Sequence, residues 1–315
     1  VPSELSIVSP VYRAEACIEE LHRRLTAVLA PMNVTYEIIL VDDGSPDRSG
    51  ELLERIAADD PHVTALILSR NFGQHAAILA GVAEARGERI VVMDCDLQDR
   101  PEDVPALLAK LDDGFDVVIA RRLRRKTGVF KRMTSRLWFA LLNRLSELPI
   151  EPGSGSFSAL RRNVATELLR MPNRHSHYQL VLRWLGFRQT YLDVDDGGRF
   201  EGRSAYSVPR LVSHALSGVV SHSTRLLTFS IYSGFVFVLL SVAQFSYVLV
   251  QKFMNGIGVA GWASLMATMW LIGGAILSSL GVIGIYLGRI VDDVKQRPAY
   301  VVRCRLRQGV WRESA

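Results

Sequence analysis

Charge is absent from two long stretches of this chain, and cysteine is scarce throughout. The three cysteines, Cys17, Cys95 and Cys304, lie far apart and show no C-x-x-C spacing. An odd, sparse set of this kind excludes a disulfide framework and a cysteine-based zinc site, and it fits a reducing compartment. The chain has no P-loop and no G-x-S-x-G. "GSGSFS" at 153–158 lacks the third glycine of a dinucleotide fingerprint and follows no predicted strand. The residues around Leu5–Ser9 read as a strand rather than as a charged segment leading into an apolar core, so no cleaved leader is expected. The net charge of +5 is too small to argue for a nucleic-acid partner.

The two uncharged stretches are residues 226–250 and 253–288. A membrane span needs about 20 apolar residues, and each stretch supplies one. The alternative is a pair of buried core helices, which rarely run so long without charge. Gly273, Gly274, Ser278 and Gly281 let the second stretch pack closely against a neighbouring helix. Arg210 and Arg225 precede the pair, Arg289, Lys295 and Arg297 follow it, and only Lys252 lies between. The excess of positive charge outside the hairpin predicts that both ends are cytoplasmic.

Upstream, short apolar runs alternate with amphipathic segments. Strands are predicted at Leu5–Ser9, Tyr36–Asp42, Val63–Ser69, Ile90–Asp94 and Asp116–Ala120, and helices near 16–30, 50–59, 74–85 and 103–112. This alternation predicts a mostly parallel α/β sheet with helices on both faces, and a ligand beyond the carboxyl ends of the strands. "PIEPGSGS", 149–156, reads as a loop, and so does "RHSHY", 174–178, where His175 and His177 lack a third metal ligand. Segments 130–148 and 207–225 read as amphipathic helices lying on a membrane surface, with a half-buried helix as the alternative. The expected organisation is a catalytic domain at 1–206, a juxtamembrane helix at 207–225, a two-helix hairpin at 226–288 and a cytoplasmic tail at 289–315.

Acidic residues end two of the predicted strands. Asp42 and Asp43 lie in "VDDGSPD", and Asp94 and Asp96 in "MDCDLQD". Each motif alone is explained by a turn or a helix start. Two such pairs on one rim repel each other unless a cation neutralises them. Hard oxygen ligands suit Mg²⁺ or Mn²⁺ shared with a diphosphate, and Gln98 adds a carbonyl oxygen. A metal on a departing nucleoside diphosphate points to glycosyl or nucleotidyl transfer. The basic run from Arg121 to Arg136 has one aromatic within it, Phe130, too few for interleaved base stacking, so it fits a lipid phosphate or anionic lipid better than nucleic acid; a solvated face is the alternative. Arg199 and Arg203 in "GGRFEGRSAYS" suit a phosphate clamp.

These motifs, with "SPVY" (9–12), "SRNFGQHAAILAG" (69–81), "FKRMTS" (130–135), "RFEGRSAYS" (199–207) and the terminal "YLGRIVDDVKQRPAYVV", resemble the family 2 glycosyltransferases of GT-A fold. Within that family they are similar to polyprenyl-phosphate glycosyltransferases such as dolichol-phosphate mannosyltransferase. The resemblance implies inverting transfer of a sugar from a nucleoside-diphosphate donor to a polyprenyl phosphate, here undecaprenyl phosphate, at the cytoplasmic face of a bacterial inner membrane. It implies that Pro10, Tyr12 and Asp43 bind the nucleotide and that Asp94 lies near nucleotide and sugar. It further implies that Asp96 and Gln98 hold the metal, that Arg122, Lys131 and Ser135 hold the acceptor phosphate, and that Arg199 closes over the diphosphate. By analogy with tetrameric relatives, the "RPAYVV" tail is expected to pair between subunits.

The chain departs from the family pattern at four positions. Arg13 and Ala14 replace an Asn-Glu pair, Ala205 replaces a lysine, and Ser156 replaces an acidic residue near the sugar. The alternatives are a processive polysaccharide synthase and a catalytically silent scaffold. Against the synthase, Gln179, Arg183 and Trp184 are spaced one residue too long for its Q-x-x-R-W motif. Against the scaffold, Asp94, Asp96 and Gln98 are intact.

Overall fold

The computed structural model describes residues 3–123, 154–171, 178–195, 261–307 and 310–313, with scattered helical positions between 230 and 254. Segments 130–148, 174–177, 197–207 and 207–225 lie outside the described residues, as does most of the first uncharged stretch.

Among the described residues nine strands form one sheet: β1 (Leu5–Val11), β2 (Tyr36–Asp42), β3 (Val63–Leu68), β4 (Arg89–Val92), β5 (Val117–Leu123), β6 (Ser154–Arg161), β7 (Gln189–Asp195), β8 (Val302–Arg307) and β9 (Val310–Glu313). Their order is β7-β5-β6-β4-β1-β2-β3-β8-β9. The centre is parallel. β1 pairs with β2 from Leu5↔Tyr36 to Val11↔Asp42, and with β4 from Leu5↔Arg89 to Val8↔Val92. Every residue of β1 and β3 is buried, as expected for strands covered on both faces.

The helices are α1 (Ile18–Leu29), α2 (Ser49–Asp59), α3 (Gln74–Glu84), α4 (Val104–Asp112), α5 (Arg162–Arg170), α6 (Tyr178–Trp184) and α7 (Trp262–Val294). One face of the sheet packs against α1, α2 and α4, the other against α3, α5 and α6. In α1 the buried side chains Ile18, Leu21, Leu25 and Leu29 recur at helical spacing. Burying each contributes about 1.5–3 kcal/mol. On the other face α3 crosses β1 and β2 at Gly81, where an added Cβ would lie 2.3 Å from Val8 Cγ1. That close approach needs glycine.

The four predicted helices and first four predicted strands match to within two residues. The other differences are corrections. β5 runs on to Leu123, which brings Arg121 and Arg122 into the sheet. Ser154–Ser156 is not a loop but the start of β6, inserted antiparallel between β4 and β5. The alternation of apolar and polar residues there is weak, so the pairing comes from the two neighbouring strands. The strand after Pro298 has partners on both sides within its own chain. β8 runs antiparallel along β3 of the same chain, from Thr64↔Arg307 to Leu68↔Val302, and β9 pairs with β8.

The described residues divide into two units. The first is the sheet with its helices, including the residues from Arg297 onward, and the second contains α7. Among the described residues, α7 alone is long and apolar enough to cross a membrane, and its window Leu271–Gly288 buries nothing within the protein. The other half of the predicted hairpin falls outside the described residues except for isolated helical positions.

Candidate active site

The carboxyl ends of β1, β2 and β4 lie side by side because the three strands are paired in register. Pro10 is buried in β1 opposite Val41. Tyr12, just beyond the strand, is 44% exposed, and the Arg13 guanidinium lies 5.5 Å from its ring centre. Arg13 has a left-handed backbone (φ 51) and donates its N–H to Ser45 Oγ at 3.1 Å. Ala14 donates its N–H to Ser49 Oγ at 3.0 Å. The two departures from the family pattern therefore tie the end of β1 to the start of α2 through the backbone, with no need of their side chains.

At the end of β2, Asp42 Oδ1 accepts the Ser45 N–H at 3.1 Å. The Asp43 oxygens accept the N–H groups of Phe72 (2.7 Å) and Gly73 (2.8 Å), bracing the loop from β3 into α3. Between those two segments stands Gly44 (φ +65), where a Cβ would lie 2.6 Å from the Arg70 carbonyl carbon. Burial raises both carboxyls above their ordinary value, against the pull of these hydrogen bonds. Asp43 thus has a bracing contact that the sequence does not foretell.

After β4 the chain alternates. Asp94, Asp96 and Gln98 are half-buried on one side, while Cys95 and Leu97 are buried on the other. Leu97 reaches this arrangement through a left-handed backbone (φ 61), which is uncommon outside glycine and asparagine. Two donors converge on one oxygen of Asp94: Ser156 Oγ from β6 and Gln74 Nε2 from the first turn of α3, each at 2.6 Å. Asp96 Oδ1 accepts the Gln98 N–H at 3.1 Å. Asp99, 1% exposed, accepts the Asp94 N–H at 2.9 Å through Oδ2 and Arg122 Nη2 at 2.6 Å through Oδ1. Arg122 Nη1 donates to Gln98 Oε1 at 2.8 Å. Its Nε is buried without a hydrogen-bond partner.

Burial raises the Asp94 carboxyl; the Ser156 hydrogen bond opposes this and the Asp96 charge adds to it. Burial and the neighbouring Asp94 charge push Asp99 up to about 6. Burial works against the Arg122 charge, but Asp99, Asp94 and Asp96 together more than offset it and hold the guanidinium above its ordinary value. Burial also pushes up the Cys95 thiol, in keeping with an inert packing role.

Three carboxylates therefore face one guanidinium. The donor set is all oxygen and carries excess negative charge, which fits Mg²⁺ or Mn²⁺. Among the described residues no three His, Cys, Asp or Glu side chains gather to enclose a metal. Gln98 Oε1 accepts Arg122 through one lone pair and keeps a second for a metal.

The structure brings Asp94, Asp96, Gln98 and Arg122 into one cluster. It places Asp43, Pro10 and Tyr12 along the same rim. Lys131, Ser135 and Arg199 lie outside the described residues. Gln74 is not singled out by the sequence reading, and Ser156 enters it only as a departure. No local pattern signals either role, since each reaches Asp94 from a different element. A separate cavity of about 320 Å³, lined by Asp42, Arg70 and Arg303 among others, lies on the β3 side and includes neither Asp94 nor Asp96.

The sequence model for glycosyl transferase family 2 matches residues 6–169. An uncharacterized glycosyltransferase of Synechocystis sp. is 38% identical over 300 residues, covering 95% of this chain and 94% of that protein. The SfII prophage-derived bactoprenol glucosyl transferase of Shigella flexneri is 31% identical over 301 residues, covering 95% and 97%. The undecaprenyl-phosphate 4-deoxy-4-formamido-L-arabinose transferase of Klebsiella pneumoniae is 33% identical over 311 residues, covering 97% and 94%.

Proposed function

This chain belongs to glycosyl transferase family 2 and is a glycosyltransferase, and from that premise we propose that it moves one sugar from a nucleoside-diphosphate donor to a polyprenyl phosphate at a membrane surface, with inversion. The observation that carries this reading is the fixed acidic cluster of Asp94 and Asp96 with Arg122 at its base. Full-length likeness to two relatives named for bactoprenol and undecaprenyl-phosphate transfer supports the choice of acceptor. Undecaprenyl phosphate is the acceptor we assign.

A lipid phosphate oxygen attacks the anomeric carbon from the side opposite the diphosphate. The new C–O bond forms as the bond to the diphosphate breaks, which gives a polyprenyl phosphosugar and a nucleoside diphosphate. The attacking phosphate is already ionised near neutral pH, so no protein base is required. A bound Mg²⁺ or Mn²⁺ supplies electrostatic stabilisation of the departing diphosphate. Asp96 is the protein group best suited to hold it, with Gln98 as the second ligand. Asp94, fixed by Ser156 and Gln74, orients the donor sugar. Pro10, Tyr12 and Asp43 line the nucleotide side. Arg122, together with Lys131 and Ser135, draws in the acceptor phosphate, and Arg199 covers the diphosphate. Holding two anionic reactants in line is most of the catalysis.

The exposed apolar window of α7 supports a membrane location. We extend this to two spans, 226–250 and 253–288, with both ends cytoplasmic and the acceptor reached from that side. The domain limits at 206, 225 and 288 and a homotetrameric state belong to the same proposal.

The test is purified full-length protein with undecaprenyl phosphate, a panel of nucleotide sugars and Mg²⁺ or Mn²⁺, read by mass spectrometry of the lipid. The expected product carries one added sugar. A growing polymer, or no product from any donor, overturns the reading.

A further inference from the structure

Asp99 stands between the two halves of this site. One carboxylate oxygen accepts the Asp94 N–H at 2.9 Å, and the other accepts Arg122 Nη2 at 2.6 Å. The side chain is 1% exposed and does not line the rim itself. Building on the function proposed above, we infer that Asp99 is a positioning residue that holds the donor-side Asp94 and the acceptor-side Arg122 in one fixed register.

The chemistry of the contacts makes a carboxylate necessary. Both partners are donors, a backbone N–H and a guanidinium N–H. A carboxylate accepts from both. An asparagine of the same shape presents one oxygen and one NH₂, so one of the two contacts becomes donor against donor. A buried polar group left facing the wrong partner is costly, and the local structure shifts to relieve it.

Arg122 carries the constraint further. Its fork joins Asp99 through Nη2 and Gln98 Oε1 through Nη1. The backbone of residues 94–99 is thereby closed into a ring by one side chain from β5 and one buried carboxylate. Leu97, at φ 61 inside that ring, holds a conformation its own preference opposes. The ring fixes where Asp94 and Asp96 stand relative to Arg122. In-line transfer between two bound substrates is sensitive to that relation, because a misplacement of about 1 Å can cost roughly 100-fold in rate.

The test separates positioning from folding. For the full chain and its Asp99→Asn variant, calorimetric titration with UDP and with GDP in the presence of Mn²⁺ counts nucleotide sites. Transfer to undecaprenyl phosphate is then expressed per titrated site. The inference expects nucleotide stoichiometry close to that of the unaltered protein, KM values for both substrates within about threefold, and kcat per site lower by about 10–100-fold. An unchanged kcat per site overturns it, because a purely structural residue would lower only the number of sites.

If Asp99→Asn binds no nucleotide, Arg122→Lys is read in its place. Lysine keeps the charge but cannot reach Asp99 and Gln98 with one rigid fork. The same per-site loss in kcat with acceptor KM within about threefold supports the inference; full per-site activity, or a loss confined to acceptor KM as a direct phosphate contact would give, overturns it. In a double-mutant cycle with Arg122→Lys, Asp99→Asn is expected to cost less than about threefold further, and independent, multiplying losses overturn the coupling. Absence of any glycolipid from the unaltered protein overturns the proposed function instead, a result distinguishable from all of these.

Discussion

The two rims of the sheet treat acids partly or fully withdrawn from solvent in opposite ways. At the amino rim Asp60 follows α2, and its carboxylate lies between His22 Nε2 at 2.8 Å and His62 Nδ1 at 2.9 Å. Burial alone would raise it, but the hydrogen bonds from His22, the His62 N–H and the His62 ring outweigh burial and hold it below its ordinary value. The His62 ring also stacks on Tyr36 with centroids 4.6 Å apart. At the carboxyl rim Asp42, Asp43, Asp94 and Asp99 are all held above their ordinary value, with burial the largest cause each time. The amino rim satisfies its acid with groups of its own. The carboxyl rim keeps more negative charge than Arg122 neutralises, and the shortfall matches a divalent cation. A stabilising device and a functional one thus differ in whether the charge balance closes within the protein.

This contrast can be broken from either side. The largest effect is expected from Asp96→Ala, which removes the proposed metal ligand. Sugar transfer should fall by about 100-fold or more, and chelator should abolish it in the unaltered protein. Full activity in chelator would remove the metal from the account.

Ser156→Ala comes next. It deletes one of the two donors on Asp94 and leaves Gln74 as the other. A loss of about 1–2 kcal/mol in transition-state stabilisation, roughly 5–30-fold in kcat, is expected. Steady-state kinetics with the accepted donor would measure it, and a loss confined to acceptor KM would argue that Asp94 does not act on the donor side.

On the amino rim, Asp60→Asn should leave kcat unchanged and lower stability by about 1–2 kcal/mol, read from urea unfolding of the detergent-solubilised protein. The sign follows from linkage. A carboxyl with a depressed folded-state value contributes stability that is present above its unfolded value near pH ~3.9 and is lost as pH falls through the folded value. The variant should therefore lose the part of the acid sensitivity that Asp60 supplies.

The smallest effect is expected at Asp42. Asp42→Asn keeps an oxygen for the Ser45 N–H and removes a buried charge. A raised folded-state value makes ionisation a cost that appears as pH rises from the unfolded value through the folded one. Without metal, the variant should match the unaltered protein within about 0.5 kcal/mol at pH 7 or exceed it. A clear destabilisation would mean that Asp42 is neutralised within the protein, as Asp60 is.

The sequence reading reached the buried strands and the amphipathic helices because hydrophobic period is a local property. Val63–Ser69 reads as a strand from seven residues alone and forms one over Val63–Leu68, and α1 shows its face through Ile18, Leu21, Leu25 and Leu29. The same holds for the carboxylates at the ends of β2 and β4, whose shared rim follows from both strands running parallel to β1. β6 was not legible, because "SGSFSALR" becomes a strand only between β4 and β5. In the tail a strand was expected at "RPAYVV", but not its partner, since nothing in Val302–Arg307 points to β3 of the same chain.

By itself the sequence determined the parallel centre of the sheet, the excess of acid at its carboxyl rim and the long uncharged stretches. Each of these is written in neighbouring residues. Tertiary structure alone decided which donors reach each acid. Gln74, Ser156, Asp99 and Arg122 come from α3, β6, the loop after β4 and β5, up to 82 positions apart along the chain. No local preference encodes such a meeting, because it exists only once burial of the sheet has fixed the strand order. A buried carboxylate then takes whichever donors that order has brought within about 3 Å.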